Sequence, residues 1–174
     1  MNDALLLVDV LSDFRHDDGE RLARSFTDRL PALAALVRDA RRSDIPVVYA
    51  NDHHGDWASD RASLIDRARR AGPLGEALET LLPRPGEPLL LKPRYSAFDH
   101  TALELLLESL EVDRVLLVGA AAEGCIVQTA IDAREHGLKA TILADVCATA
   151  DEHLEKTALR YAEYVGGIRV QANT

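Results

Sequence analysis

The chain has 174 residues, a length suited to one domain, 1–174, with a sizeable core. Its 20 basic and 29 acidic side chains leave a formal charge of −9, which argues against nucleic acid as a partner, because duplex binding needs a concentrated basic surface. Hydrophobic residues at 47% exclude a disordered polar chain, and no apolar run reaches the roughly 18 residues of a membrane span.

The opening stretch MNDALLLVDV lacks a basic region and a small-residue cleavage site, so no secretory signal is expected. Two cysteines cannot staple a chain of this size, and a reduced, cytoplasmic setting is the expectation.

Apolar runs of strand length alternate with helix-period segments throughout. The strand candidates are Ala4–Val8, Pro46–Ala50, Leu89–Leu91, Arg114–Val118, Ala140–Leu143 and Ile168–Val170. Most are continuously apolar, as strands covered on both faces are. After the first strand, a helix running to about Ser43 turns Leu33, Leu36, Val37 and Ala40 to one face. Pro31 fits its first turn, with Asp28 as cap.

The segment Gly72–Pro93 holds five of the seven prolines and reads as a stiff excursion after a short helix around Glu76–Leu82. Asp99 is placed to cap a helix whose Leu103, Leu106, Leu107 and Leu110 follow helical spacing. Another helix begins near Gly124 and stops at Gly137, a natural residue just past a helix end. The last carries Leu154, Ala158, Tyr161 and Val165 as a core stripe and ends at Gly166–Gly167. This alternation predicts a three-layer α/β/α sandwich on a doubly wound, mainly parallel sheet of six strands.

In such sheets ligands bind beyond the carboxyl ends of the strands. That rule selects Asp9 after the first strand, Asn51 and Asp52 after the second, Lys92 after the third, Gly119 to Cys125 after the fourth, and Asp145 and Cys147 after the fifth. Asp9 closes an apolar run, where its protonation depends on its partner, although a strand-end Asp often only caps a loop. Lys92 is one of three lysines against seventeen arginines, and its position suits a compact ammonium, unless it merely snorkels to the surface.

Cys125 follows VLLVGAAAEG and opens the helix IVQTAIDARE, where unpaired N–H groups and the dipole favour a thiolate and can hold an oxyanion. A buried, inert thiol is the plain alternative and describes Cys147 better. The Gly119–Gly124 spacing lacks the lysine and hydroxyl of a phosphate loop. Asp52 and His54 offer two metal ligands, but a catalytic zinc wants three, so zinc there is disfavoured and exposed loop histidines are the simpler account.

Asp ending the first strand, Lys ending the third and Cys after the fourth form one constellation, embedded in LLLVDVLSDF, IPVVYANDHHGDWASD, LLLKPRYSAF and VLLVGAAAEGCIVQTAIDA. With these motifs the chain resembles the isochorismatase-like cysteine hydrolases, which include nicotinamidases and related amidohydrolases, over nearly its whole length. The resemblance implies a catalytic triad of Asp9, Lys92 and Cys125, and a cis peptide at Ala120–Ala121 that aims the Ala121 N–H, with that of Cys125, at an oxyanion.

It also implies pocket walls from Phe14, Trp57 and Tyr95, a small-molecule substrate, no organic cofactor and a homo-oligomer. Leu11 stands where the family often has Gln, Ala122 where it often has Thr, and only the first half of the nicotinamidase metal motif is present. The expected activity is hydrolysis of a small carboxamide or related C–N bond through a thioester. The alternatives are an enol-ether hydrolase using Asp9 as acid, and a non-catalytic, thiol-sensing α/β module.

Overall fold

The computed structural model describes residues 2–172. Among them six strands form one all-parallel sheet: β1 (Asp3–Val8), β2 (Val47–Asp52), β3 (Leu89–Lys92), β4 (Arg114–Ala120), β5 (Lys139–Ala148) and β6 (Arg169–Gln171), in the spatial order β3-β2-β1-β4-β5-β6. The connecting helices are α1 (Gly19–Arg42), α2 (Arg61–Arg69), α3 (Pro73–Leu78), α4 (Leu103–Ser109), α5 (Val127–Glu135) and α6 (Glu152–Tyr164).

The two-residue period of a strand sorts β1 between two cores. Leu5 and Leu7 pack with Leu30, Leu33 and Val37 of α1 and with Leu64 and Leu78 of α2 and α3. Ala4, Leu6 and Val8 pack instead with Leu103 and Leu107 of α4, Ala130 of α5 and Ala162 of α6. These are the three layers expected from the alternation. No helix of the described residues is long and apolar enough to cross a membrane.

Several local expectations are corrected. Pro31 lies inside α1, which starts twelve residues earlier, at Gly19, and so Asp28 caps nothing. A mid-helix proline forfeits one backbone bond, but Phe26, Leu30, Leu33, Val37 and Ala40 are buried along one face and hold the helix through it. Asp99 does not cap α4; the Thr101 hydroxyl accepts the Leu103 N–H at 3.1 Å instead.

Of the expected stripe, Ala158 packs against the core, but Leu154, Tyr161 and Val165 are 53%, 54% and 63% exposed, while Glu155 and Ala162 are buried. The helical period was legible there, but the buried face was not. Asp145 and Cys147 lie within β5, which extends to Ala148, rather than beyond its end. The proline-rich excursion is strapped down by arginines. Arg41 pairs with Glu87 at 2.7 and 2.8 Å, and Arg61 donates to the carbonyls of Pro83, Arg84 and Glu87.

Candidate active site

Strand order reverses between β1 and β4, and a crevice opens there beyond the strand ends. The two strands come unusually close: at Gly119 (φ +122°) a Cβ would lie 2.0 Å from the Val8 carbonyl oxygen, so only glycine fits. Just past Val8, Asp9 adopts a left-handed backbone (φ +53°). Its amide donates to the Ala50 carbonyl at 3.0 Å, and its Oδ1 accepts the Asp52 N–H at 2.7 Å. The next turn is pinned by buried Asn51, whose side chain accepts the Leu11 N–H at 2.8 Å and donates to the Leu11 carbonyl at 3.1 Å.

Lys92 ends β3 and is fully buried. Its Nζ lies 2.8 Å from Asp9 Oδ2 and 3.4 Å from Cys125 Sγ, and donates to the Arg94 carbonyl at 3.0 Å. The three residues therefore meet around one ammonium, with the Asp9 carboxylate also within hydrogen-bonding reach of the thiol. Cys125 sits in a π-helical turn, Ala122–Ile126, that leads into α5, not at a simple helix start. The amides of Gly124 and Ile126, on either side of Cys125, donate to the Ala121 carbonyl at 3.1 and 3.2 Å. The Ala120–Ala121 peptide is cis, where the resemblance places it.

The electrostatics correct one expectation. Burial, with the neighbouring Asp9 charge adding to it, pushes the Cys125 thiol up to about 12, against the pull of Lys92. Burial therefore works against the thiolate that the helix position and Lys92 favour, and the net direction is toward the thiol. Burial also raises the Asp9 carboxyl, although Lys92 and the hydrogen bonds it accepts oppose the rise. For Lys92, burial works against the ammonium, but the Asp9 charge leads the opposing effects, the hydrogen bond to Asp9 adds to it, and the net direction is upward.

A cavity of about 500 Å³ opens above this group, with Asp9, Ala120, Ala121 and Cys125 in its floor and Tyr95 in its wall. Phe14 and Trp57 do not line it. Phe14 is buried against Phe26, ring centroids 5.5 Å apart, and Trp57 is 82% exposed against His53 at 4.5 Å. Loop residues supply walls that the strand-end rule did not select: Ser12, His16 and Asp18 after β1, and Ala150 after β5. They lie several residues past a strand end, where sequence alone does not say which way the loop turns.

Asp52 and His54 both border the cavity, with the His54 amide donating to the Asp52 carboxylate. Among the described residues no group of three or more His, Cys, Asp or Glu side chains is arranged to hold a metal ion. His53, by contrast, is no exposed loop histidine: it is 9% exposed. Leu11 and Ala122, two departures from the family pattern, are fully buried and pack in the core.

The isochorismatase domain model matches residues 3–173 of this chain. The chain belongs to the isochorismatase family. It is 32% identical over 162 residues to the uncharacterized isochorismatase family protein YaaI of Bacillus subtilis, covering 93% of this chain and 89% of that one. It is 30% identical over 158 residues to a maleamate amidohydrolase of Pseudomonas putida, covering 86% and 73%.

The crystal structure of an N-carbamoylsarcosine amidase from Thermoplasma acidophilum superposes with a TM-score of 0.73 at 26% identity, covering 99% of this chain and 96% of that one. Family membership makes the chain a hydrolase, and sets aside the reading of a non-catalytic sensing module.

Proposed function

We propose that this hydrolase cleaves the C–N bond of a small carboxamide by covalent catalysis at Cys125. The observation that carries the reading is the buried Lys92 ammonium set between Asp9 Oδ2 and Cys125 Sγ, the latter two residues lining the cavity. Burial favours the protonated thiol, so attack calls for a base, and Asp9 is the carboxylate within reach of it. Asp9 takes the thiol proton as sulfur adds to the amide carbon, while Lys92 keeps the reacting charges paired.

The oxyanion is held by the N–H groups of Ala121 and Cys125, as preorganised backbone donors hold such charge. Asp9 then gives its proton to the leaving nitrogen, the C–N bond breaks, and a thioester with ammonia or an amine results. Water, deprotonated by Asp9, attacks the thioester and releases the carboxylic acid and the thiol. Relatives named as amidases support the C–N bond as target.

The cavity wall carries Asp18, Asp52 and Glu123 beside Asp9 and no lysine or arginine. Such a wall favours an uncharged or cationic amide over one bearing a carboxylate. The test is a screen of small amides for released ammonia, with mass spectrometry of the quenched reaction. Acyl mass on the Cys125 peptide is the expected result; undiminished turnover by Cys125→Ala overturns the covalent route and leaves acid catalysis by Asp9, as on an enol ether.

A further inference from the structure

Behind the catalytic wall lies a second cavity of about 400 Å³, lined by His53, Trp57, Pro93, Arg94 and His100. The two cavities share their walls through alternation. Asp52 and His54 border the catalytic cavity and His53, between them, borders this one; Tyr95 borders the first, and Pro93 and Arg94 the second. Its volume falls at the small end of ligand cavities, roughly 300–1,000 Å³.

His53 is 9% exposed, and neither of its ring nitrogens has a hydrogen-bond partner among the described residues. Both are also shut off from bulk solvent. A buried imidazole left without partners is destabilising, and such groups are rare unless something else satisfies them. The ring is covered by Trp57, centroids 4.5 Å apart at 38°, yet the indole is itself 82% exposed. Trp57 is thus the exposed side chain of the pair, and His53 the buried one.

The remaining lining sets the ligand's charge. Arg94 contributes a guanidinium with donors suited to a carboxylate, His100 a second imidazole, and none of the five residues a carboxylate. Trp57 contributes an aromatic face. We propose that this cavity binds a small planar organic carboxylate, with Arg94 and His53 holding the carboxylate and Trp57 covering the ring. Its polarity is opposite to that of the catalytic cavity, whose lining carries four carboxylates and no lysine or arginine.

The chain has one tryptophan, Trp57, which lines this cavity and not the catalytic one, so its fluorescence is the probe for binding here. The full chain is titrated with benzoate, and in parallel with the uncharged benzamide. A saturable change is expected with benzoate and none with benzamide. Arg94→Gln and His53→Gln should each weaken benzoate by about tenfold or more, the effect of removing a hydrogen bond to a charged group.

Protein alkylated at Cys125, with the catalytic cavity blocked, should bind benzoate as before. The proposal is overturned by the absence of a saturable response at millimolar benzoate, by equal binding of benzamide, by unchanged affinity in both variants, or by loss of binding on alkylation. The readout is binding and not turnover, so it stands or falls separately from the amidase reading.

Discussion

The two cysteines place the same side chain in two regions with different company. Cys147 lies inside β5 opposite Gly119 of β4, fully buried, and its thiol donates to the Leu143 carbonyl at 3.3 Å. Cys125 lies one layer out, on the π turn, where Lys92 and Asp9 meet it and the cavity opens above. Burial pushes both thiols up. A lowered thiol pKa is therefore not what separates them. Only Cys125 has a carboxylate to receive its proton and space for a substrate. On the proposed mechanism, reactivity is a property of the neighbours and not of the thiol alone.

The sharpest way to break this contrast is to exchange the two losses. Cys125→Ala should lower kcat/KM on the best amide by at least about 10⁴-fold, as removal of a nucleophile does, whereas Cys147→Ala should leave it unchanged. Steady-state ammonia release measures both. Asp9→Asn should cost roughly 10²–10⁴-fold, the value of general acid–base help.

The pH dependence sharpens the comparison further. In the proposed mechanism Asp9 acts as a carboxylate, and burial raises its pKa above 3.8, so activity should fall on acidification through that raised value. A kcat/KM profile in which the acid limb lies no higher than an ordinary carboxyl would contradict Asp9 as the base. Lys92 is raised above 10.5 and stays charged across the neutral range, so it should add no alkaline limb below that value.

Lys92→Met tests the pairing itself. It leaves the Asp9 carboxylate, 15% exposed, without its cation, and should destabilise by about 3–5 kcal/mol in urea unfolding. The smallest effect belongs to the structural thiol. Cys147→Ala should cost about 1 kcal/mol by the same unfolding measurement, as loss of one buried heavy atom does, with no change in the pH profile.

Much of the site was legible because it rests on strand ends. An apolar run ending in an acid, a rare lysine after Leu89–Leu91, and a cysteine after a run of glycine and alanine put Asp9, Lys92 and Cys125 among the strand-end candidates, and the family resemblance joined the three. The six strands and the three layers were legible for the same reason, since continuous apolar runs and 3.6-residue periods are local. The walls were not. Phe14 and Trp57 are aromatic residues near the motif, but one is drawn into the core by Phe26 and the other turns outward over His53. Nothing in the order of residues says which way a loop folds.

By itself, then, the sequence determined the alternation of elements and a list of strand-end residues, and the family resemblance picked from that list the three side chains that meet. Tertiary structure alone decided three further matters: the face α6 buries, the burial that pushes the Cys125 thiol up, and the burial of His53 without a hydrogen-bond partner among the described residues. The physical reason is the range of the forces. Periodicity and capping act over a few residues, whereas desolvation and pairing depend on what the whole chain packs against each group.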